Sequence, residues 1–218
     1  MKHHPTPLFI LERIKRGQGI KWEEGKFFLL GMKGMIGASF STIFLQRLLE
    51  EKIGYEKIMS LYYAHGKFQG QEGVRIFNKR FGYPRSFKEL DQLLDVHIGQ
   101  FQFTGTGKFE WAVKDIKNKK FIVKGKSPIA EEYALYFKTD NKFIDHFHRG
   151  LMAGFISEVL GEDLYCLETS CVAHGKEYCT FLIKKEKEFN HKSKDWKIQK
   201  IDKIDLLSSL NPKKKPLI

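Results

Sequence analysis

Apolar positions in the first half of the chain recur at helical spacing; in the second half they begin to alternate. Lys26 to Leu30 is a short apolar run that reads as a strand. Ile36 to Ile53 carries Phe40, Ile43, Phe44 and Leu48 three and four apart, which predicts a helix stopped by Gly54. A second helical stretch, from about Tyr55 to Arg80, presents Ile58, Leu61, Tyr62, Phe68, Ile76 and Phe77. Gly66, Gly70 and Gly73 interrupt it and predict close helix packing or a break. Ser86 to Val96 reads as a third helix with Phe87, Leu90 and Leu94 on one side. From Phe101 the period shortens. Phe101 and Phe103 precede a Gly105-Thr106-Gly107 turn, Phe109, Trp111 and Val113 follow it, and Asn118-Lys119-Lys120 turns the chain into Phe121-Ile122-Val123. Ser127-Pro128 is a helix start, with Ser as N-cap, Pro at the first position, and Glu131 and Glu132 near the positive end. A last long helix is expected from about Asn141 to Leu160, its stripe being Phe143, Phe147, Leu151, Phe155 and Val159, with Gly161 as its stop. Helices first, then a meander with inserted helices, predict a single α+β domain with helices packed on a twisted antiparallel sheet.

Composition refines that picture. With 218 residues, 42% of them hydrophobic and 19 of them phenylalanine, the chain can bury an aromatic-rich core, which either simply packs or lines a cavity for a flat apolar ligand. The net charge is +12, but eleven lysines against five acids fall between Lys184 and Ile218, so half the excess lies in that stretch. The body is only mildly basic, and a nucleic-acid role is not expected. The expected organisation is an N-terminal segment (1–26), a body (27–184) and a basic C-terminal tail (185–218). The longest charge-free stretch, Gly34 to Gln46, is too short to span a bilayer, and the first residues lack the apolar run of a signal peptide. A cytoplasmic protein with reduced thiols is therefore expected.

All three cysteines, Cys166, Cys171 and Cys179, lie within fourteen residues. Cys171 and Cys179 flank a turn centred on Gly175; if it closes a hairpin, both thiolates can hold one metal ion, with Glu168 as a third ligand. Alternation sets a condition on this. Glu168 and Cys171 differ by an odd number of positions and face opposite ways on a regular strand, so a bulge or kink near Thr169-Ser170 is required. The competing reading is three small thiols packed as hydrophobes. Asp145 has its own alternative, an exposed i,i+4 pair with Arg149.

The run Gly150-Leu151-Met152-Ala153-Gly154-Phe155, then Gly161, Glu168-Thr169-Ser170-Cys171, Gly175 and Cys179-Thr180-Phe181 resembles the 4-vinyl reductase domain family. It is also similar to the zinc-containing sensor domains of aromatic-responsive transcription activators. The resemblance is strongest from Asp145 to Ile183 and extends loosely back to Phe27. It implies the fold of transport-complex (Golgi tethering) subunits and of nitric-oxide-signalling ligand-binding domains, commonly dimeric. It further implies a non-catalytic domain that binds a small apolar or aromatic molecule and a structural zinc. Carried over by position, the zinc ligands are Glu168, Cys171 and Cys179, with Asp145 standing where the family has a cysteine; His146, His148 and Cys166 are substitutes within reach. His97 lies about where the sensors direct a histidine at their ligand, and the pocket expected here comprises His97, Trp111, Phe147, Leu151 and Phe155. Phenol-sensing relatives carry a tryptophan three residues before the serine matching Ser127; this chain has Lys124, so a phenol specificity is not implied. The expected partners are the ligand, a second copy of the chain and an unidentified protein. Two other readings stand beside this one: a structural or assembly subunit without ligand, and an accessory protein of tetrapyrrole vinyl reduction. No G-x-G-x-x-G fingerprint between strand and helix supports hydride chemistry, so an enzyme is not expected.

Overall fold

The structure, a computed structural model, describes residues 20–23, 26–29, 32–34, 39–139 and 142–201, with isolated positions at 12 and 16. Three short strands, β1 (Ile20–Glu23), β2 (Lys26–Leu29) and β3 (Met32–Gly34), form an antiparallel ribbon. Three helices follow: α1 (Ser39–Ile53), α2 (Tyr55–Phe81) and α3 (Phe87–Thr104). Then come β4 (Lys108–Asp115), β5 (Lys120–Lys126), α4 (Pro128–Tyr136) and α5 (His146–Leu160). The hairpin β6 (Tyr165–Ser170) and β7 (Cys179–Lys184) and a short α6 (Lys194–Gln199) complete the described chain. The main sheet is antiparallel in the order β4-β5-β7-β6, and six helices pack with it in the α+β arrangement expected.

The sheet buries one face because its strands alternate. Phe121, Val123 and Gly125 of β5 stand opposite Ile183, Phe181 and Cys179 of β7, all buried on the side that meets the helices. Strand β6 is the edge, yet Tyr165 to Glu168 are buried on both sides. The second covering comes from residues 186–201, where Trp196 and Phe189 pack their rings on Tyr165 at 5.0 and 5.9 Å. The charge-based boundary at 184/185 thus falls inside packed structure, because Phe189, Trp196 and Gln199 supply buried groups that a lysine count overlooks. Residues 202–218 lie outside the described residues.

The glycines of α2 mark close packing, not a break, and α2 runs unbroken from Tyr55 to Phe81. Gly66 and Gly70 meet Gly150 and Gly154 of α5 so closely that a Cβ at Gly150 would stand 2.0 Å from the carbonyl oxygen of Tyr63. Gly73, facing nothing within 4 Å, is not part of the contact. Two other local expectations shift. The strand predicted at Phe101 and Phe103 is the last turn of α3, which continues to Thr104 and ends at Gly105 in the left-handed conformation; Phe101 is the next buried position after Leu93, Leu94 and His97 on the helical stripe. The last long helix begins at His146, not near Asn141, because Asp145 takes the N-cap position and Phe143 and Ile144 enter the core ahead of it.

Candidate metal centre

The condition set by strand alternation is met. Glu168 pairs with Phe181 and Ser170 with Thr180, so Thr169 is the extra residue of a β-bulge that turns Cys171 to the side Glu168 faces. Residues 172–174 then form a 3-10 turn closed by Gly175 at φ 73°, and the backbone N–H of Val172 donates to Cys179 Sγ at 3.5 Å. The result is a cluster in which ligand atoms of Glu168, Cys171 and Cys179 all lie within 4.8 Å of one another, each side chain fully buried. Tetrahedral ligands about 2.0–2.3 Å from one zinc stand roughly 3.3–3.8 Å apart, so the side chains close on an ion by about 1 Å.

Asp145 stands next to this cluster. Its backbone N–H donates to Glu168 Oε2 at 3.3 Å, its Oδ1 meets His148 Nδ1 at 2.5 Å, and its Oδ2 is buried with no partner. Oε1 of Glu168 is likewise buried and unpartnered. Two orphaned carboxylate oxygens beside two thiols are what a dication would satisfy, and the sulfur and oxygen donors suit zinc. Without such a charge the site holds its protons. Burial, then Cys171 and Asp145, push the Glu168 carboxyl well above the usual range. Cys179 holds its proton through its hydrogen bond to Cys171 and through burial. Cys171 is drawn down by hydrogen bonds from Cys179 and Glu168. Metal binding there would release protons.

The other residues named from the sequence have different roles. Cys166 is buried with its sulfur toward the carbonyl of Leu167, and burial raises its pKa. His146 Nδ1 takes a hydrogen bond from the Arg149 guanidinium at 3.0 Å, and burial followed by that cation holds it well below its ordinary pKa. The exposed Asp145–Arg149 pair does not form: both residues are fully buried, and Arg149 serves the sheet edge instead. Its Nε and Nη2 donate to the carbonyl of Cys166, and Nη2 also to that of Gln199 at 2.9 Å. Tyr63 Oη accepts from Cys166 N–H, while the Gln199 amide takes the N–H of Glu168 at 2.8 Å and donates to its carbonyl at 2.7 Å. Three buried side chains thus satisfy the free edge of β6 at Cys166 and Glu168, so the strand bearing the metal-ligand candidate is locked to α2, α5 and α6. Sequence reasoning missed Arg149, Gln199 and Tyr63; the one available signal was an arginine set in an otherwise apolar helix.

Of the five expected pocket residues, three come together. His97 stacks on Phe155 at 5.6 Å and meets the edge of Phe77 at 5.7 Å, and Trp111 packs on Phe155 at 6.4 Å while donating Nε1–H to Asp95 at 2.9 Å. Both ring nitrogens of His97 are buried without a partner, and burial pushes its pKa down to about 4. Phe147 and Leu151 lie elsewhere, half-buried where α5 crosses Gly66 and Gly70 of α2. Each four-residue step rotates a helix by about 40°, so Phe147 and Phe155 diverge by roughly 80° around α5. A separate surface cleft of about 530 Å³, lined by Lys67, Ser157, Glu158, Glu162 and Asp163 among others, has its carboxylates matched by Lys67, Arg75, Lys119 and Lys185. It therefore offers a cation little unmet charge. No helix among the described residues is long and apolar enough to cross a membrane.

Comparison with known proteins bears on this centre directly. Residues 144–185, which contain Asp145, Glu168, Cys171 and Cys179, match the family model of the 4-vinyl reductase domain. An uncharacterized protein of Methanocaldococcus jannaschii, MJ0150, is 29% identical over 129 residues, or 59% of this chain. The match spans 66% of that protein, just under two thirds of its length. Among solved structures, the phenol-responsive sensory domain of the transcription activator PoxR, in its complex with phenol, superposes with a TM-score of 0.71 at 15% identity, over 88% of this chain and 96% of that one. Subunit 3 of a trafficking protein particle complex from Naegleria fowleri gives a TM-score of 0.49 at 14% identity, over 67% and 93% respectively. The fold is that of the PoxR sensory domain, and the family match falls on the hairpin and the helix before it.

Proposed function

We propose that this chain is a non-catalytic sensor domain that binds a small apolar or aromatic molecule and carries a structural zinc held by Glu168, Cys171, Cys179 and Asp145. The observation that carries the reading is the buried cluster with two unpartnered carboxylate oxygens, since an acidic site without water or countercharge is costly unless a cation completes it. Asp145 is preferred as fourth ligand over His146, whose Nδ1 is engaged by a guanidinium, and over Cys166, whose thiol contacts its neighbouring carbonyl. Four protein ligands leave no open position for catalysis, so the ion's part is to tie the hairpin to the start of α5. The small-molecule site lies in the aromatic core between α3, α5 and the sheet, where His97 brings the only imidazole of the Phe77–Trp111–Phe155 cluster and two unpartnered nitrogens.

A sensor must report. The ligand shifts the balance between two arrangements of the hairpin, and the Gln199 clamp carries that change into the C-terminal segment. We further propose that the domain acts in the cytoplasm as a homodimer that engages a protein partner. An apolar face supports association: Phe40, Phe44, Leu45 and Leu48 of α1 are each about half exposed, and Phe44 continues the patch to Tyr136 of α4 at 5.7 Å, beside Leu135 at 74% exposure. At about 100 Å² apiece these six side chains present roughly 600 Å² of apolar surface, close to one side of a standard interface. The test is elemental analysis of reduced protein purified without chelator. One zinc per chain, lost in Cys171→Ser and Glu168→Gln, is expected; metal-free wild type would overturn the zinc reading.

A further inference from the structure

Asp145 occupies the N-cap of α5 but does not cap it. An aspartate there ordinarily accepts the backbone N–H two or three residues on, and here no such bond forms. The carboxylate instead takes a side-chain partner one turn along, His148 Nδ1 at 2.5 Å, and leaves Oδ2 buried and free beside Glu168. His148 is itself fully buried, with Phe109, Phe147 and Phe101 at ring distances of 5.3, 5.7 and 5.8 Å, and its Nε2 has no partner. Ser127 Oγ lies 3.5 Å from the same Nδ1 and accepts the N–H of Ala130, so it does not compete for the short bond.

A carboxylate can only accept, so Nδ1 carries the proton, and a neutral imidazole then presents Nε2 as an acceptor. We propose that His148 is the positioning residue of the metal centre: its Nδ1–H fixes Oδ1 of Asp145 and so aims Oδ2 at the ion, while its Nε2 faces the aromatic core as a hydrogen-bond acceptor. The proposal rests on the zinc reading above and deepens it. It gives the ligand a chemical class, an aromatic or apolar molecule bearing an O–H or N–H donor. It also gives that donor a two-bond path to the metal, from guest to His148 to Asp145. A donor placed on Nε2 strengthens the Nδ1–H bond to Asp145 or weakens it, and the fourth ligand feels the change.

The test uses the full reduced chain, stripped of metal and loaded with Co²⁺ as the probe. Wild type is expected to show thiolate-to-cobalt charge-transfer bands and the intense ligand-field bands of a four-coordinate site. His148→Phe keeps the charge-transfer bands, alters the ligand-field bands and weakens Co²⁺ binding by about 10–100-fold in chelator competition. His148→Asn, whose amide N–H can stand in for Nδ1–H, recovers most of that loss, and Asp145→Asn reproduces the His148→Phe spectrum. On wild type, ¹⁵N spectra of the zinc form are expected to show His148 protonated at Nδ1 and bare at Nε2, a measurement independent of how any variant folds. Cobalt spectra and affinities unchanged in His148→Phe, or a proton found on Nε2, would overturn the proposal while leaving the zinc reading intact. Absence of thiolate bands in wild type would instead remove the zinc reading and the proposal with it.

Discussion

Replacing Gln199 by alanine probes the link between the hairpin and the C-terminal segment. Its side-chain amide occupies the free edge of β6 as a neighbouring strand would, accepting from Glu168 N–H at 2.8 Å and donating to Glu168 C=O at 2.7 Å. Truncation leaves both main-chain groups buried without partners, at about 1–3 kcal/mol each. Water admitted as α6 loosens recovers part of this, which places the expected loss near 3 kcal/mol, a large share of the roughly 5–15 kcal/mol by which a domain is stable. Arg149 still holds the backbone carbonyl of residue 199, so the segment loosens and does not detach. Urea denaturation of wild type and Gln199→Ala, each zinc-loaded and chelated, measures the loss. Hydrogen exchange over 186–201 locates it. Two linked results are expected: faster exchange of the α6 amides, and weaker zinc binding because the backbone of Glu168 is no longer fixed. A loss under about 1 kcal/mol with the α6 amides still protected would refute the reasoning, since it would mean the Glu168 edge does not depend on Gln199.

Three further outcomes are expected. His97 is held near pH 4 by burial, below its unfolded value of 6.5, so the unfolded chain binds a proton the folded chain refuses. Its contribution is fully present above pH 6.5 and is lost as the pH falls through about 4, by about 3 kcal/mol in all. Denaturation of His97→Leu and wild type between pH 7 and 4 should therefore converge in stability as the pH drops, and parallel curves would contradict this assignment. Gly150→Ala forces a Cβ to 2.0 Å from the Tyr63 carbonyl, spreads α2 from α5 and lowers stability by about 3 kcal/mol, whereas Gly73→Ala, with nothing within 4 Å, raises it by about 0.5–1 kcal/mol. Thermal melts of the two variants should move in opposite directions. Phe44→Asp on the apolar face of α1 should convert a dimer to monomer in sedimentation velocity without changing zinc content; an unchanged sedimentation coefficient would place the interface elsewhere.

The helices were legible because their apolar stripes and glycine stops are local signals. Ser127 caps α4 through Ala130 N–H as its dipeptide with Pro128 predicted, and Gly161 ends α5 in the left-handed conformation. The misread strand at Phe101 shows the limit of local pattern, since two phenylalanines two apart fit either period until the neighbours they pack against are known. The glycines of α2 likewise gave a choice, and only the backbone of α5 against Gly66 and Gly70 resolved it.

At the candidate site, sequence by itself determined the donor set. Glu168, Cys171 and Cys179 are close in the chain, their side-chain alternation demanded a bulge, and that demand followed from the period of a strand alone. Only the tertiary structure decided what surrounds them. Asp145 and Arg149 read in sequence as an exposed helical pair, because spacing records which residues share a face and not whether that face is covered. Folding buries both, turns the aspartate to His148 and the arginine to the carbonyls of Cys166 and Gln199, and brings position 199 back 31 residues to hold Glu168. Such long-range hydrogen bonds are set by which main-chain groups the sheet leaves unpaired at its edge, a property of the assembled sheet that no local stretch of the chain carries.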